Sequence, residues 1–246
     1  MSTYDTATYG ERIADIYDQL HTSYEEAAIS TLTQLAGSGP VLELGIGTGR
    51  IALPLAKCGL RLHDIDSSEA MISKLHAKPG GDQITVTTGN FADVDIVGEF
   101  SLVFVVFNTF FLLLSQSEQV RCFRNVARRL SKDGVFLLEA FVPDMTRFDR
   151  GQNVSATKVT AESVRLDVSE HDAIEQRVNS HHLFITEGGI KLYPIQIRYA
   201  WPSELDLMAE LAGLRLRWRW SGWQRESFTE KSQKHISVYE RHQPKQ

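Results

Sequence analysis

Three glycines and three acidic residues are spaced so that they could hold a charged ligand that contains a ribose. In chain order they are Glu43, Gly45, Gly47, Gly49, Asp64 and Asp66. Glycine lets the backbone approach a ligand without interference from a side chain. The N–H groups of such a loop can bind the charged part of a cofactor, and a carboxylate about 20 residues further on can bind ribose hydroxyls. The segment therefore predicts half of a nucleotide-type binding site.

The elements that must position this loop are visible in the pattern of apolar residues. Apolar runs predict five strands, near residues 41–44, 60–65, 84–88, 102–107 and 135–141. Helical spacing separates them, most clearly at 117–130, where the periodic pattern ends before Gly134. Strands that alternate with helices predict an α/β fold with a doubly wound, mostly parallel sheet. Such sheets bind ligands at the carboxyl ends of their strands, which is where the glycine loop lies.

The patterns divide the chain into four parts. Residues 1–40, with helical spacing over 11–36, predict an N-terminal helical lid. The cofactor-binding α/β core is 41–150. Stretches with a period of two then predict an antiparallel β insertion over 151–200, on the substrate side of the core. Residues 201–246 supply a helix and the last two strands of the core sheet.

One strand of the last part carries three arginines. Arg215, Arg217 and Arg219 alternate with apolar residues between Leu214 and Trp220. The pattern is typical of a strand with its apolar face inside and its arginines in water. The alternative is a stripe of arginines that binds phosphate or carboxylate groups.

The composition disfavours several classes of protein. The 246 residues include 42% hydrophobic residues, which is typical of a folded chain with a packed core. The formal net charge is −5, and since nucleic-acid-binding proteins normally have a basic face, we expect no nucleic-acid partner. Cys58 and Cys122 lack metal-site spacing, so we expect no metal. No apolar run approaches ~18 residues and the polar N-terminus is unlike a signal peptide, so we expect no membrane association and a cytoplasmic location.

The spacing of the glycines distinguishes between two kinds of cofactor. The dinucleotide fingerprint has its third glycine five residues after the first, and here that position is Arg50. The pattern E-x-G-x-G-x-G, from Glu43 to Gly49, instead resembles the first motif of class I S-adenosylmethionine-dependent methyltransferases. In that family the matching acid lies near the methionine end of the cofactor. A nicotinamide-dependent oxidoreductase and a non-catalytic cofactor-binding protein are the more distant alternatives.

Later segments extend the resemblance to most of the chain. The segment from Asp66 to Met71 is similar to the family's second motif, 88–93 to its third and 107–110 to its fourth. The resemblance implies a Rossmann-like, seven-stranded sheet, S-adenosyl-L-methionine as cofactor, and Asp66 rather than Asp64 as the ribose-binding acid. It also implies a set of cofactor-binding residues: Tyr9, Tyr17, Glu43, Gly45, Gly47, Gly49, Asp66, Met71, Asn90, Phe91, Phe107 and Asn108.

Two narrower resemblances suggest the methyl acceptor. The segment NTFFLL at 108–113 and the segments 201–209 and 212–214 are similar to peptide N-terminal methyltransferases of the cypemycin type. The insertion and the pair Tyr9 and Tyr17 look like the macrolide aminosugar N,N-dimethyltransferases. A histidine that the sugar enzymes carry after the fourth motif is absent. Both resemblances imply N-methylation of a small molecule or modified peptide of specialised metabolism, by an enzyme that could be a homodimer.

The residue types available for catalysis leave the acceptor atom open. Methyl transfer requires mainly that the nucleophile, methyl carbon and sulfur be held in line. An amine needs only to arrive deprotonated, whereas a hydroxyl or phenol, the alternative acceptor, usually needs a general base. The candidate bases are Tyr9, Glu139 and His182. The predicted substrate-binding residues are Asn108, Phe111, Phe141, Tyr199 and Trp201.

Overall fold

The computed structural model describes residues 4, 5 and 7–242 of the chain. The helices of this part are α1 (Thr8–Leu20), α2 (Glu26–Ala36), α3 (Ala52–Lys57), α4 (Glu69–His76), α5 (Gln116–Arg129) and α6 (Pro202–Leu211). The strands of the first half are β1 (Val41–Leu44), β2 (Leu62–Asp66), β3 (Thr85–Thr88), β4 (Phe100–Val105) and β5 (Leu130–Phe141). The strands of the second half are β6 (Gln152–Val159), β7 (Ser163–Asp172), β8 (Arg177–Thr186), β9 (Gly189–Arg198), β10 (Leu214–Trp220) and β11 (Lys234–Arg241).

The central sheet has seven strands in the order β10-β11-β5-β4-β1-β2-β3. Strands β1 to β5 are parallel, while β11 pairs antiparallel with both β5 and β10. This arrangement confirms the predicted doubly wound, mostly parallel sheet. Strand β1 pairs with β2 so that Glu43 lies beside Asp64. The loops after β1, β2 and β4 therefore all lie at the same edge of the sheet.

Strand β4 is apolar on both faces because it is covered by helices on both sides. Val103 and Val105 are fully buried against residues of α5. Leu102 and Phe104 are fully buried in a second cluster that includes residues of α2. The two clusters fix the sheet between its helical layers, and the chain leaves the sheet at the end of β4 toward the candidate site.

The predicted β insertion is a separate four-stranded antiparallel sheet in the order β6-β7-β8-β9. Its last strand ends at Arg198, whose side chain is 7% exposed and pairs with Glu204 at 2.8 Å. Arg198 Nη1 also donates to Gln119 Oε1 of α5 at 2.6 Å. These contacts tie the insertion to the core, and Tyr193 of β9 packs in a cluster with Ile13 of α1.

The helical spacing over 11–36 belongs to two helices, α1 and α2. The segment forms two helices, with non-helical backbone at 21–25 between them. His21, at the end of α1, and Glu25, before α2, both leave the helical region of backbone torsion angles. Thr22 and Ser23 lie in between, and such residues lose side-chain freedom in a helix or compete with its hydrogen bonds. The break lets α1 run toward the glycine loop while α2 packs on the sheet.

The arginine strand is different from the prediction. Arg219 is not in water: its side chain is 13% exposed and pairs with Asp206 at 2.6 Å. Arg215 and Arg217 both pair with Glu240. A register shift between Leu216 and Trp218 interrupts the alternation, as a β-bulge does. Within the described residues, no helix is both long enough and apolar enough to cross a membrane.

Candidate functional site

The glycine loop after β1 leaves open space next to its backbone. Gly45 and Gly47 have φ angles of +80° and +59°, which favour glycine. A Cβ at Gly45 would lie 2.4 Å from the Thr109 methyl carbon, so the loop packs directly on the turn after β4. A Cβ at Gly47 would meet no heavy atom within 4 Å. The loop is thus tightly packed on one side and open on the other.

Asp66 joins this loop to the end of β2. Its Oδ2 accepts a hydrogen bond from Gly47 N at 2.7 Å, and its Oδ1 accepts one from Ser68 N at 2.8 Å. Asp64 lies two residues earlier, inside the strand, and is fully buried. The spacing in the sequence is compatible with either acid as the ribose-binding carboxylate. Of the two, Asp66 is the one at the edge of the sheet.

The segment after β3 lies beside the loop. Phe91 is 7% exposed, and its Cε1 is 3.9 Å from the position that a Cβ on Gly45 would take. Asn90 Oδ1 accepts from Ala92 N at 2.8 Å, and Asn90 Nδ2 donates to Glu118 Oε1 at 3.4 Å. The amide is therefore held in place, and an amide oxygen can accept a second hydrogen bond.

The turn after β4 has a strained backbone that β5 holds in place. Phe107 and Asn108 have φ angles of +58° and +64°. A non-glycine residue in this region costs on the order of 1–3 kcal/mol. Glu139 offsets this cost: its Oε2 accepts from Phe107 N at 3.0 Å, and its backbone O accepts from Asn108 N at 3.2 Å. Asn108 Oδ1 in turn accepts from Phe141 N at 2.7 Å.

Helix α1 is fastened over this edge of the sheet. Glu11 accepts hydrogen bonds from Ser68 Oγ at 2.8 Å and from Ala70 N at 3.1 Å. Asp18 accepts from Thr48 Oγ1 of the glycine loop at 2.6 Å and pairs with Lys78 at 2.8 Å. The helix therefore spans from the start of α4 to the glycine loop, as a lid would.

The end of α1 contacts both loops through aromatic and cationic side chains. The rings of Tyr17 and His21 are 4.7 Å apart, and those of His21 and Phe107 are 4.9 Å apart. Arg50 lies 4.5 Å above the Phe107 ring. Burial raises the pKa of Tyr17, and burial together with Tyr17 raises the pKa of Tyr9 well above its usual range. Both phenols therefore stay protonated at neutral pH, which disfavours Tyr9 as a base.

A cavity of about 390 Å³ opens at the carboxyl ends of β4 and β5. Its lining is Ser23, Tyr24, Glu25, Ala28, Arg50, Ile51, Val106, Phe107, Asn108, Glu139, Phe141, Trp223 and Lys234. Glu139 Oε1 accepts from Trp223 Nε1 at 3.1 Å and from Lys234 Nζ at 3.4 Å. With the bond from Phe107, both oxygens of this carboxylate are engaged.

The comparisons with known proteins agree with this geometry. A family model described as a methyltransferase domain matches residues 41–134. The solved structure of the CcbJ methyltransferase from Streptomyces caelestis is 40% identical in sequence to this chain. The match covers 96% of this chain and 98% of the CcbJ chain, with a TM-score of 0.89. The chain belongs to the S-adenosylmethionine-dependent methyltransferases.

Two further relatives are more distant from this methyltransferase. The cypemycin N-terminal methyltransferase of a Streptomyces species is 27% identical over 245 residues, with 96% of this chain and 99% of the relative covered. The amino pentose methyltransferase CalS10 from Micromonospora echinaspora is 17% identical, with 98% of this chain and 99% of that chain covered and a TM-score of 0.68. The second likeness shows the fold alone.

The residues of the methyltransferase fit its cofactor, S-adenosylmethionine. Glu43 is 3% exposed, and its Oε2 has no hydrogen-bond partner among the described residues. A buried acceptor without a donor needs an explanation, and the cofactor's ammonium group would supply one. The open side of Gly47 leaves room for a ligand beside the Asp66 carboxylate.

Several predicted substrate residues lie outside the cavity. Phe111 is fully buried in the core, where its ring packs 5.0 Å from that of Phe141. Tyr199 is 3% exposed, and its hydroxyl hydrogen-bonds His171 Nε2 at 2.9 Å. Trp201 is 41% exposed at the start of α6. Of the predicted set, the cavity brings together Asn108 and Phe141.

The remaining predicted residues lie between α1, α4 and the insertion. Met71 is 4% exposed in a cluster that also contains Tyr9. His182 of β8 hydrogen-bonds Asp167 of β7 at 2.5 Å, and both side chains are 31% exposed. The pKa of His21 is lowered by burial, then by Arg50 and His182, so the His182 side chain lies near the end of α1.

The structure also places residues in the site that the sequence analysis did not propose. Arg50 was considered only as a departure from the dinucleotide fingerprint, and its position directly after the glycines was the available signal. His21, Trp223 and Lys234 had no such signal. Trp223 and Lys234 reach Glu139 from 84 and 95 residues away, and no local pattern reports such a contact.

Proposed function

We propose that this methyltransferase transfers the methyl group of S-adenosylmethionine to an amine nitrogen of a small molecule or modified peptide of specialised metabolism. The observation that carries the proposal is the set of hydrogen bonds made by Glu139, the acid that lines the cavity next to Asn108. Its oxygens accept from Phe107 N, Trp223 Nε1 and Lys234 Nζ. A carboxylate held in this way is an anchor for the turn and not a free base, and an amine acceptor needs no such base.

The cofactor roles follow from the position of each residue at the edge of the sheet. The N–H groups around Gly47 and the Glu43 carboxylate would hold the methionine end. Asp66 would bind the ribose hydroxyls, and Asn90 with Phe91 would contact the adenine. These groups bind and orient; the cofactor, when bound, supplies an electrophilic methyl group. The protein's contribution is to fix that methyl in line with the acceptor.

The cavity beside Asn108 is the acceptor site in this proposal. Phe107, Phe141 and Trp223 give it apolar walls. Its two cations, Arg50 and Lys234, are matched by two carboxylates, because Lys234 pairs with both Glu25 and Glu139. An amine attacks the methyl carbon in its neutral form, so the acceptor would have to be deprotonated when it reaches this cavity.

Each of the four parts of the chain has a role in this proposal. Residues 1–40 would act as the lid, 41–150 as the cofactor-binding core, 151–200 as the substrate-side insertion, and 201–246 would complete the sheet. The net charge of −5 supports a small molecule or peptide over a nucleic acid as the acceptor. Both cysteines are free, which supports a reducing compartment such as the cytoplasm. A homodimer stays a prediction.

One observation favours O-methylation as a second candidate. The Asp167–His182 pair is an orienting carboxylate joined to an imidazole, which is the arrangement that a general base needs. The pair faces α1, so an acceptor held under the lid could reach it. A hydroxyl or phenol acceptor would use His182 to remove its proton.

The experiment that tests the proposal uses the cell as the source of acceptors. The purified enzyme and S-adenosylmethionine with a labelled methyl group are incubated with an extract of the producing organism, and the labelled product is identified. We expect the methyl on nitrogen; a methyl on oxygen or carbon would overturn the amine assignment. With that acceptor, His182→Ala should lower the rate by less than tenfold, whereas loss of a general base costs on the order of 10²–10⁴.

A further inference from the structure

Two buried acids lie side by side beneath the cofactor site, and the roles assigned so far use only one of them. Glu43 on β1 and Asp64 on β2 are register partners in neighbouring parallel strands, so their side chains share one face of the sheet. Glu43 is 3% exposed and Asp64 is 0% exposed. Both oxygens of Asp64 and one of Glu43 have no hydrogen-bond partner among the described residues.

The surroundings of the pair do not compensate two negative charges. Val86 of β3 lies beside Asp64 in register, and Leu62 precedes it on the same face. Both belong to an apolar cluster with Ala52 of α3. Asp64 is therefore a carboxyl group in an apolar environment.

The charged groups that act on Glu43 come from three elements. Arg50, after the glycine loop, favours its ionised form, while Asp64 and Asp66 on β2 disfavour it. Tyr17 of α1 also lies near enough for Glu43 to act on its hydroxyl. One cation thus faces three carboxyl groups. Burial, and for Glu43 also the charge of Asp64, raises the pKa of both acids well above the usual range.

We propose that Glu43 and Asp64 hold a shared proton in the free enzyme and release it when the cofactor's ammonium group binds beside Glu43. The step balances: the carboxyl O–H bond breaks, the proton goes to solvent, and the carboxylate pairs with the arriving cation. Asp64 then acts as a positioning residue that sets the proton occupancy of Glu43. This inference rests on the cofactor roles proposed above, and it makes cofactor binding stronger as the pH rises.

Calorimetric titration with S-adenosylhomocysteine tests the proposed proton release without a methyl acceptor. S-adenosylhomocysteine, the product of the cofactor, carries the same ammonium group as the cofactor. Binding enthalpies measured near pH 7 in two buffers of different ionisation enthalpy give the number of protons released. We expect close to one proton for the wild type and for Asp95→Asn, an exposed acid used as a matched control. Asp64→Asn should release markedly less, because Glu43 loses its register partner as an acidic neighbour and keeps only the more weakly acting Asp66.

A second measurement does not depend on the folding of any variant. If one proton is released, the wild-type dissociation constant for S-adenosylhomocysteine should fall about tenfold for each pH unit between about pH 6 and pH 7. A pH-independent constant, no proton release by the wild type, or equal release by folded Asp64→Asn overturns the inference. Failure of S-adenosylhomocysteine to bind at all would instead contradict the cofactor roles, so the two failures are distinguishable.

Discussion

The Glu139 carboxylate accepts a hydrogen bond from the backbone N–H of Phe107 at 3.0 Å. This bond joins β5 to the turn after β4, whose left-handed backbone places Asn108 at the cavity. Glu139 thus links β5 to the turn that lines the cavity, and both of its carboxylate oxygens accept hydrogen bonds.

The first prediction concerns the replacement Glu139→Gln. Glutamine offers one acceptor oxygen where the carboxylate offers two, so at least one of Phe107 N, Trp223 Nε1 and Lys234 Nζ loses a partner. We expect the free energy of unfolding to fall by about 1–3 kcal/mol in urea denaturation. The exposed Glu99→Gln is the control and should leave stability unchanged. A fully stable Glu139→Gln variant whose turnover falls by about 10²-fold or more would show that Glu139 is a base and not an anchor.

The second prediction tests the docking of α1, the proposed lid. A Cβ at Gly10 of α1 would lie 2.5 Å from Ser68 Cβ and 2.7 Å from Ser68 Oγ. Gly10→Ala favours the helix locally by ~1 kcal/mol but must move it away from α4. We expect weaker binding of S-adenosylhomocysteine, by about tenfold or ~1.4 kcal/mol, and faster amide exchange in α1.

Gly188→Ala is the matched control for the lid variant, since its Cβ would make only an ordinary contact, 3.6 Å from Thr186 Oγ1. It should bind S-adenosylhomocysteine like the wild type. Equal affinity for Gly10→Ala and Gly188→Ala would show that the contact of α1 with Ser68 has no part in cofactor binding.

The third prediction concerns Asp66→Ala. This change removes the acceptor for Gly47 N and Ser68 N and, in the proposed role, the ribose ligand. Hydrogen bonds to a charged group are worth roughly 1.5–3 kcal/mol, so we expect affinity for S-adenosylhomocysteine to fall about 10- to 100-fold by calorimetry. Asp95→Ala, at an exposed position, should be neutral. An unchanged dissociation constant for Asp66→Ala would remove Asp66 from the cofactor site.

The fourth prediction is a pH dependence of stability from His235. This residue is fully buried on β11, and burial, followed by Arg219, lowers its pKa from 6.5 to about 3. Between these two values the unfolded state binds a proton that the folded state does not, so the free energy of unfolding falls as the pH falls. The contribution is about 2 kcal/mol between about pH 7 and pH 5.

The contribution of His235 is isolated by comparing the urea denaturation of the wild type and His235→Phe at about pH 7 and about pH 5. The variant should lose less stability on acidification than the wild type does. His76→Phe changes an exposed histidine and should keep the wild-type pH dependence. The same loss of stability in His235→Phe and the wild type would contradict the depressed pKa.

The position of the glycine loop beside Asp66 could be predicted from the sequence because its determinants are local. The glycine loop, Asp66 and the two strands that carry them lie within one strand–helix–strand unit, and their spacing is set by backbone geometry. The sheet was predictable for a related reason: strand β4 is apolar on both faces because helices cover both.

The cavity beside Asn108 could not be predicted in the same way. Phe111 was expected at the substrate, but the left-handed turn at Phe107 and Asn108 directs the following segment into the core. Non-glycine residues rarely adopt this left-handed conformation, and no pattern in the sequence predicts it here. Trp223 lies between β10 and β11 and Lys234 is the first residue of β11, so only the folded chain brings them to Glu139.

The crystal structure of the complex with S-adenosylhomocysteine tests the central claim most directly. The account predicts that the ribose hydroxyls bind Asp66, that the ammonium group lies beside Glu43, and that the sulfur faces the cavity next to Asn108. The methyl of the cofactor would then point at the proposed acceptor site. A sulfur atom that faces away from this cavity, or a cavity closed off from the ligand by Phe107 and Arg50, would contradict the account.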